Sequence, residues 1–211
     1  MSDFPGPLLD GYRSFRKDRY EPERSRYRSL AERGQSPQVM VIACSDSRTA
    51  PETIFSAAPG EVFVVRNVAN RVPPHEPGGA CHTTAAALEF AVQGLGVRHV
   101  VVLGHGRCGG IAAALHPAGE PLSPGDFIGK WMSPLRPAVS EVEADGEMSD
   151  AERQTALERL SIRSSVANLR TFPFIANLEG RKLLGLHGAW FDIASGELWT
   201  MDGASGEFSR V

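Results

Sequence analysis

The 211-residue sequence has no apolar run approaching the ~18 residues that a membrane span needs. Its start, Met1-Ser-Asp-Phe-Pro-Gly-Pro, lacks the basic and apolar segments of a secretory leader, so a cytoplasmic protein is expected. Positive charge is not in surplus: 22 basic residues stand against 25 acidic ones, a net of −3. That balance removes the field that draws a protein to nucleic acid or to an anionic membrane. No internal repeat or low-complexity tract stands out. Cysteine is scarce, and the three present, Cys44, Cys81 and Cys108, are odd in number and far apart. A secreted disulfide framework is thereby excluded, which leaves metal binding or catalysis as the uses for a thiol.

The remaining composition, 42% apolar and 22% charged, is that of a globular chain with a sizeable core. Residues 1–36 are polar and arginine-rich, with large apolar residues at Leu8, Leu9, Tyr12, Phe15, Tyr20, Tyr27 and Leu30. They predict a helical arm, divided at Pro22, whose sparse apolar stripe packs on a partner subunit. Residues 37–211 read as an α/β domain. Val39–Ala43, Val62–Val65 and His99–Leu103 are continuous β-branched runs of the kind buried on both faces of a parallel sheet. Helices are predicted over Pro51–Ser56, Cys81–Gln93 (closed by Gly94), just after Gly109, and Asp150–Arg170. A proline- and glycine-rich loop covers 116–125. Two further strands, Lys182–Trp190 and Glu197–Met201, are joined at Gly196 by a hairpin that makes this edge antiparallel. The fold expected is a mostly parallel central sheet flanked by helices.

Two segments carry chemistry: Cys44-Ser-Asp46-Ser-Arg48 and His105-Gly-Arg-Cys108, each at the carboxyl end of a buried strand. Ligands of open parallel sheets bind beyond those ends, so both segments point into one crevice. Cys44, His105 and Cys108 form a Cys2His set that suits tetrahedral zinc with a fourth position open to water. Gly104, Gly106, Gly109 and Gly110 keep the turn free of bulk. Cys81 has no such company and reads as a helix-packing residue. His75, His82, His99, His116 and His187 read as surface or packing residues. Gly104–Gly109 also matches the dinucleotide fingerprint G-x-G-x-x-G, but the acidic residue expected about 20 positions later is missing.

At these residues the sequence resembles the β-class carbonic anhydrases. The likeness runs through Gln35-Ser-Pro to Arg48, Pro59–Asn70, Gly104–Gly110 and Leu186–Asp192, spanning about residues 30 to 200. It implies reversible hydration of carbon dioxide to bicarbonate and a proton by a homodimer or a larger dimer-based assembly. It also implies zinc (Zn2+) on Cys44, His105 and Cys108, and a catalytic dyad of Asp46 and Arg48. Zinc brings the pKa of a bound water towards 7, so hydroxide can attack carbon near neutrality. Asp46 would accept a hydrogen bond from it, and Arg48 would keep Asp46 ionised and off the metal. Gln35, contributed across the dimer, would lie near a substrate oxygen. Phe63, Val68 and Phe90 would form an apolar wall, and Gly109 would offer its backbone amide to bicarbonate. Phe90 replaces a tyrosine found in some relatives. The family's regulatory bicarbonate pocket uses tryptophan, arginine and tyrosine. The matching positions here are Val41, Arg66 and Phe191, so that regulation is expected to be absent and the site open. Hydrolysis of carbon disulfide or carbonyl sulfide would need the same residues. A non-catalytic zinc protein would be indicated by loss of Asp46 or Arg48, and both are present.

Overall fold

The computed structural model describes residues 4–78, 83–117 and 120–211. Cys81 and His82 lie outside the described residues. The chain divides into two compact units, Met1–Ser36 and Pro37–Val211. In the first, helix α1 (Gly6–Phe15) opens with proline in its first turn, where a missing N–H costs nothing. A wider turn over Arg16–Tyr20 follows, then α2 (Arg24–Arg33), which stops at Gly34 with φ +81°. Phe15, Tyr20 and Tyr27 cluster with ring centroids 5.1–6.3 Å apart. Leu8 and Tyr12 stay exposed.

The second unit is built on strands β1 (Val39–Cys44), β2 (Val62–Asn67), β3 (His99–His105), β4 (Gly185–Phe191), β5 (Leu198–Met201) and β6 (Phe208–Arg210). They lie in the order β2-β1-β3-β4-β5-β6, the first four parallel and the last two antiparallel. Helix α3 (Pro51–Ile54) carries the chain from β1 outward to β2, and α4 (Thr83–Glu89) returns it across β1 to β3. The direction of winding therefore reverses between β1 and β3, the switch point at which open sheets bind ligands. Alternation along β1 sends Met40 and Ile42 into a core with Val100, Val102, Ile162 and Leu88. Val41 and Ala43 go to the opposite face with Leu103 and Ala189.

Several boundaries differ from those read in the sequence. Helix α3 stops at Ile54 because Ser56 takes φ +49°. After α4, Phe90–Gly94 forms a wider turn, and the chain leaves it at Gly96, φ +69°, rather than at Gly94. Beyond α5 (Gly109–Leu115), α6 (Phe127–Met132) and α7 (Arg136–Ala144) fill a stretch in which no element is expected from the sequence, and α9 (Pro173–Gly180) is likewise unexpected. The expectation of no internal repeat is also corrected. Asp192-Ile-Ala-Ser-Gly-Glu and Asp202-Gly-Ala-Ser-Gly-Glu are ten residues apart and make the same turn. In each, the aspartate accepts the alanine N–H and the serine hydroxyl, and the glycine N–H returns to the aspartate carbonyl. These turns build the β4-β5-β6 edge.

Helix α8 (Asp150–Leu169) begins with a capping box between Ser149 and Glu152. It buries Leu157, Glu158, Ser161, Ile162, Ser165, Val166 and Leu169, one stripe at helical spacing, against β3 and β4 and, at Leu157, the cluster built by α5, α6 and α7. Its approach to β3 depends on Gly104. A Cβ there would meet Ile162 Cδ1 at 2.6 Å and Cγ1 at 2.9 Å, and Ile162 is fully buried with nowhere to retreat. Gly104→Ala is expected to destabilise the protein by about 1–3 kcal/mol in denaturant unfolding, with part recovered by adding Ile162→Val. An unchanged midpoint would show that α8 can move away freely.

Candidate metal centre

Strand β1 delivers Cys44 at its last residue, and β3, hydrogen-bonded beside it, delivers His105 at its own. Cys108 follows after a sharp turn in which Arg107 takes φ +55°, a left-handed conformation that costs a side-chain-bearing residue about 1–2 kcal/mol. All three residues are buried, with their ligand atoms within 4.8 Å of one another. The two Sγ atoms are 3.9 Å apart. A disulfide needs about 2.05 Å, whereas two thiolates on a tetrahedral zinc, each about 2.3 Å from it, stand about 3.8 Å apart. His105 Nδ1–H donates to the Gly106 carbonyl at 2.9 Å, a bond that leaves the lone pair on Nε2. That Nε2 is buried without a hydrogen-bond partner. A buried polar atom is costly when unsatisfied, and a cation between the two sulfurs satisfies it. The donor set therefore fits a soft tetrahedral ion. The thiols titrate as a pair: the hydrogen bond from Cys108 lowers Cys44, and the same contact pushes Cys108 up. The Ala69 N–H also donates to Cys44 Sγ, at 3.3 Å.

Asp46 lies over this cluster, its Oδ2 3.9 Å from His105 Nε2. Arg48 grips both carboxylate oxygens, Nε to Oδ1 at 2.9 Å and Nη2 to Oδ2 at 2.6 Å, and its backbone N–H adds a third bond to Oδ1. Chiefly through the Arg48 side-chain bonds, the Asp46 carboxyl is held well below the usual carboxylate range. Arg48 Nη2 also donates to the Arg107 carbonyl at 3.2 Å, tying the two segments together. Arg66 was read in the sequence only as a remnant of a regulatory pocket. Its guanidinium donates to the Cys44 and Asp46 carbonyls at 2.7 and 2.6 Å and so fixes the backbone that carries both side chains.

The residues expected to line the substrate pocket are not all brought together within one chain. Gly109 follows Cys108 directly, and Val68, 40% exposed, lies beside it: a Cβ on Gly110 would touch Val68 at 2.9 Å. Both line a cleft of about 810 Å3 with Ile128, Met132 and Val139, although none of the three metal-donor residues lines it. Phe63 and Phe90 pack on each other, centroids 5.8 Å apart, with Phe90 54% exposed. Phe63 sits four residues before the end of β2, roughly 13 Å back along the strand from the level of Cys44. Gln35 is exposed and belongs to the first unit. Of the histidines read as packing residues, His99 Nδ1 meets His187 Nε2 at 3.1 Å, and the His75 ring lies against Phe172.

A group that the sequence did not flag sits behind the turn. Glu158 of α8 is 2% exposed, and all three of its neighbours donate to it. The Cys108 N–H and Gln154 Nε2 reach Oε1 at 2.9 and 3.2 Å, and Trp190 Nε1 reaches Oε2 at 2.9 Å.

The protein-family model described as carbonic anhydrase matches residues 39–198, most of the chain. The carbonic anhydrase of Pseudomonas aeruginosa is 38% identical over 203 residues, 95% of this chain and 89% of that protein. The chain belongs to the β-carbonic anhydrase family. Mitochondrial beta carbonic anhydrase 6 of Arabidopsis thaliana is 35% identical over 94% of this chain and 69% of its own length. Among solved structures, the beta-carbonic anhydrase CcaA superposes with a TM-score of 0.88 at 28% identity, covering 97% of this chain and 98% of that one. A tetrameric beta-carbonic anhydrase of Sordaria macrospora gives 0.79 at 30% identity over 96% of each chain. The reaction of β-carbonic anhydrases is the reversible hydration of carbon dioxide.

The Arg48 grip has a pH signature. A carboxylate whose pKa falls on folding stabilises the protein above its unfolded value near 3.9 and loses that contribution as pH drops. In the metal-free protein, the stability difference between wild type and Arg48→Ala is therefore expected to be constant near neutrality and to shrink below about pH 4. A difference that stays level down to pH 3 would show that Arg48 does not hold Asp46.

Proposed function

We propose that this chain hydrates carbon dioxide with a zinc ion held by Cys44, His105 and Cys108, and that Asp46 and Arg48 orient the attacking water. The observation that carries this reading is the buried, unpartnered His105 Nε2 facing two free thiols, with a carboxylate fixed 3.9 Å away. When bound, zinc supplies the Lewis acidity that makes water a nucleophile near neutral pH.

The protein residues do the positioning. Asp46 Oδ1 takes two Arg48 donors and Oδ2 takes one, so Oδ2 keeps a lone pair to accept a hydrogen bond from the incoming water, which leaves the water oxygen's own lone pair aimed at the substrate carbon. Arg48 keeps that carboxylate ionised and prevents it from rotating, because the bidentate pair is broken by any turn of the Asp46 side chain. Carbon dioxide is small and uncharged, so Val68 and the open space above Gly109 suffice for one side of its pocket.

The working unit we propose is a homodimer or a dimer-based larger assembly. Phe90 and Val68 are exposed apolar residues in the single chain, and Phe63 lies well back along β2 from the metal cluster of its own chain. Across a dimer, Gln35, Phe63 and Phe90 of one subunit can close the pocket begun by Val68 and Gly109 of the other. A reducing compartment such as the cytoplasm suits the free thiols Cys44 and Cys108. No helix among the described residues is long and apolar enough to cross a membrane.

Stopped-flow hydration of carbon dioxide, with zinc content measured on the same samples, tests the assignment. Asp46→Asn keeps the shape but not the charge or the second acceptor oxygen and is expected to lower kcat/KM by about 10²–10⁴-fold with zinc content unchanged. Equal activity in the two proteins would remove Asp46 from the mechanism.

A further inference from the structure

We propose that Glu158, assisted by Gln154, is a positioning residue that fixes the peptide between Arg107 and Cys108, and through it both the Cys108 thiol and the Arg48–Asp46 pair. This rests on the reading of Cys108 as a zinc ligand. The peptide is held at both ends. Its N–H donates to Glu158 Oε1 at 2.9 Å, and its carbonyl accepts from Arg48 Nη2 at 3.2 Å. A chain of hydrogen bonds thus runs from the Trp190 indole through Glu158 and one peptide group to Arg48, and from there to Asp46.

Three features separate this from ordinary helix packing. First, the carboxylate is 2% exposed, and although burial pushes its pKa up, the Cys108, Gln154 and Trp190 groups bonded to it are all N–H donors, which favour the ionised acceptor. A buried charge of this kind is retained where its geometry is needed, since an apolar side chain of similar size would pack α8 against the sheet at lower desolvation cost. Second, Gln154 Nε2 faces both Glu158 Oε1 at 3.2 Å and the Cys108 carbonyl at 3.4 Å, so adjacent residues of one helix face address both polar atoms of Cys108. Third, the held peptide follows Arg107, whose left-handed φ of +55° relaxes unless the next N–H is fixed. A negative carboxylate drawing on the N–H also polarises the carbonyl at the other end of the peptide and strengthens it as an acceptor for Arg48. Residues that hold metal ligands in this indirect way govern affinity by 10–100-fold.

The test is zinc affinity by chelator competition, together with the visible spectrum of the Co2+-substituted protein, on wild type, Glu158→Gln and Trp190→Phe. An amide in place of the carboxylate removes the negative charge that draws on the Cys108 N–H, and it must also present an N–H either to Cys108 or to Trp190. Glu158→Gln is therefore expected to weaken zinc binding by about tenfold or more and to shift the Co2+ bands. Trp190→Phe removes only the other bond of the same carboxylate and is expected to stay within about threefold of wild type, with an unchanged spectrum. Equal losses in the two variants, or none in Glu158→Gln, would reduce Glu158 to fold support and overturn the proposal. If Glu158→Gln does not melt cooperatively, Gln154→Leu serves instead: a several-fold loss supports the proposal and wild-type affinity overturns it. A wild-type protein that binds no zinc would instead overturn the metal assignment.

Discussion

The parallel pairing of β1 with β3 is the constraint on which the rest depends. Cys44 and His105 are 61 positions apart in sequence. They become neighbours only because the chain winds outward to β2 and returns across β1. Hydrogen-bond register, which pairs Ala43 with Leu103, then leaves the two strand ends one residue apart, and the third donor follows His105 by only three residues. Gly104 lets α8 close on β3, and α8 in turn supplies the side chains that hold that turn from behind. Slipping β1 by one residue would reverse which of its side chains meet each face of the sheet and so remove Cys44 from the position it holds beside His105.

Polar groups beside these strand ends explain how a strained turn persists. Arg107 is left-handed, Cys108 begins α5 without a side-chain cap, and the intervening peptide is pinned by Glu158 on one side and Arg48 on the other. Arg66 does the same for the Cys44–Asp46 backbone. Little in this cluster can relax alone. The dyad arginine, the helix α8 glutamate and the β2 arginine each hold backbone that carries a proposed ligand or the carboxylate proposed to orient the water, so geometry at the metal is a property of four elements together.

How much of this was legible in the sequence follows from where each residue sits. Cys44, Asp46, Arg48, His105 and Cys108 fall in two short segments at the ends of β-branched runs, where pattern and chemistry coincide, so the cluster and the parallel sheet could be read directly. Glu158 could not. It lies 50 residues beyond Cys108, on a helix whose polar positions look like a solvated face, and only the packing of α8 turns that position inward. The signal that was available is its place in the stripe with Leu157, Ser161 and Ile162, where an acidic residue is out of keeping. Arg66 was hidden for a related reason, since its partners are backbone carbonyls and leave no mark in sequence. Helices α6 and α7 lie in a stretch with no expected element, where prolines at 124, 134 and 137 obscure the helical pattern. Two of those prolines in fact lie in the first turns of helical segments, where proline is tolerated. The repeated Asp-x-Ala-Ser-Gly-Glu turn was overlooked because ten residues is too short a period for a repeat architecture; its effect is confined to one sheet edge.

The most direct measurement of the central claim is X-ray absorption at the zinc edge on the purified protein. Two sulfur scatterers at about 2.3 Å together with nitrogen or oxygen scatterers at about 2.0–2.1 Å are expected, in a four-coordinate shell that Cys108→Ser reduces to one sulfur. A shell of nitrogen and oxygen alone, or a protein that carries no zinc, would contradict the account.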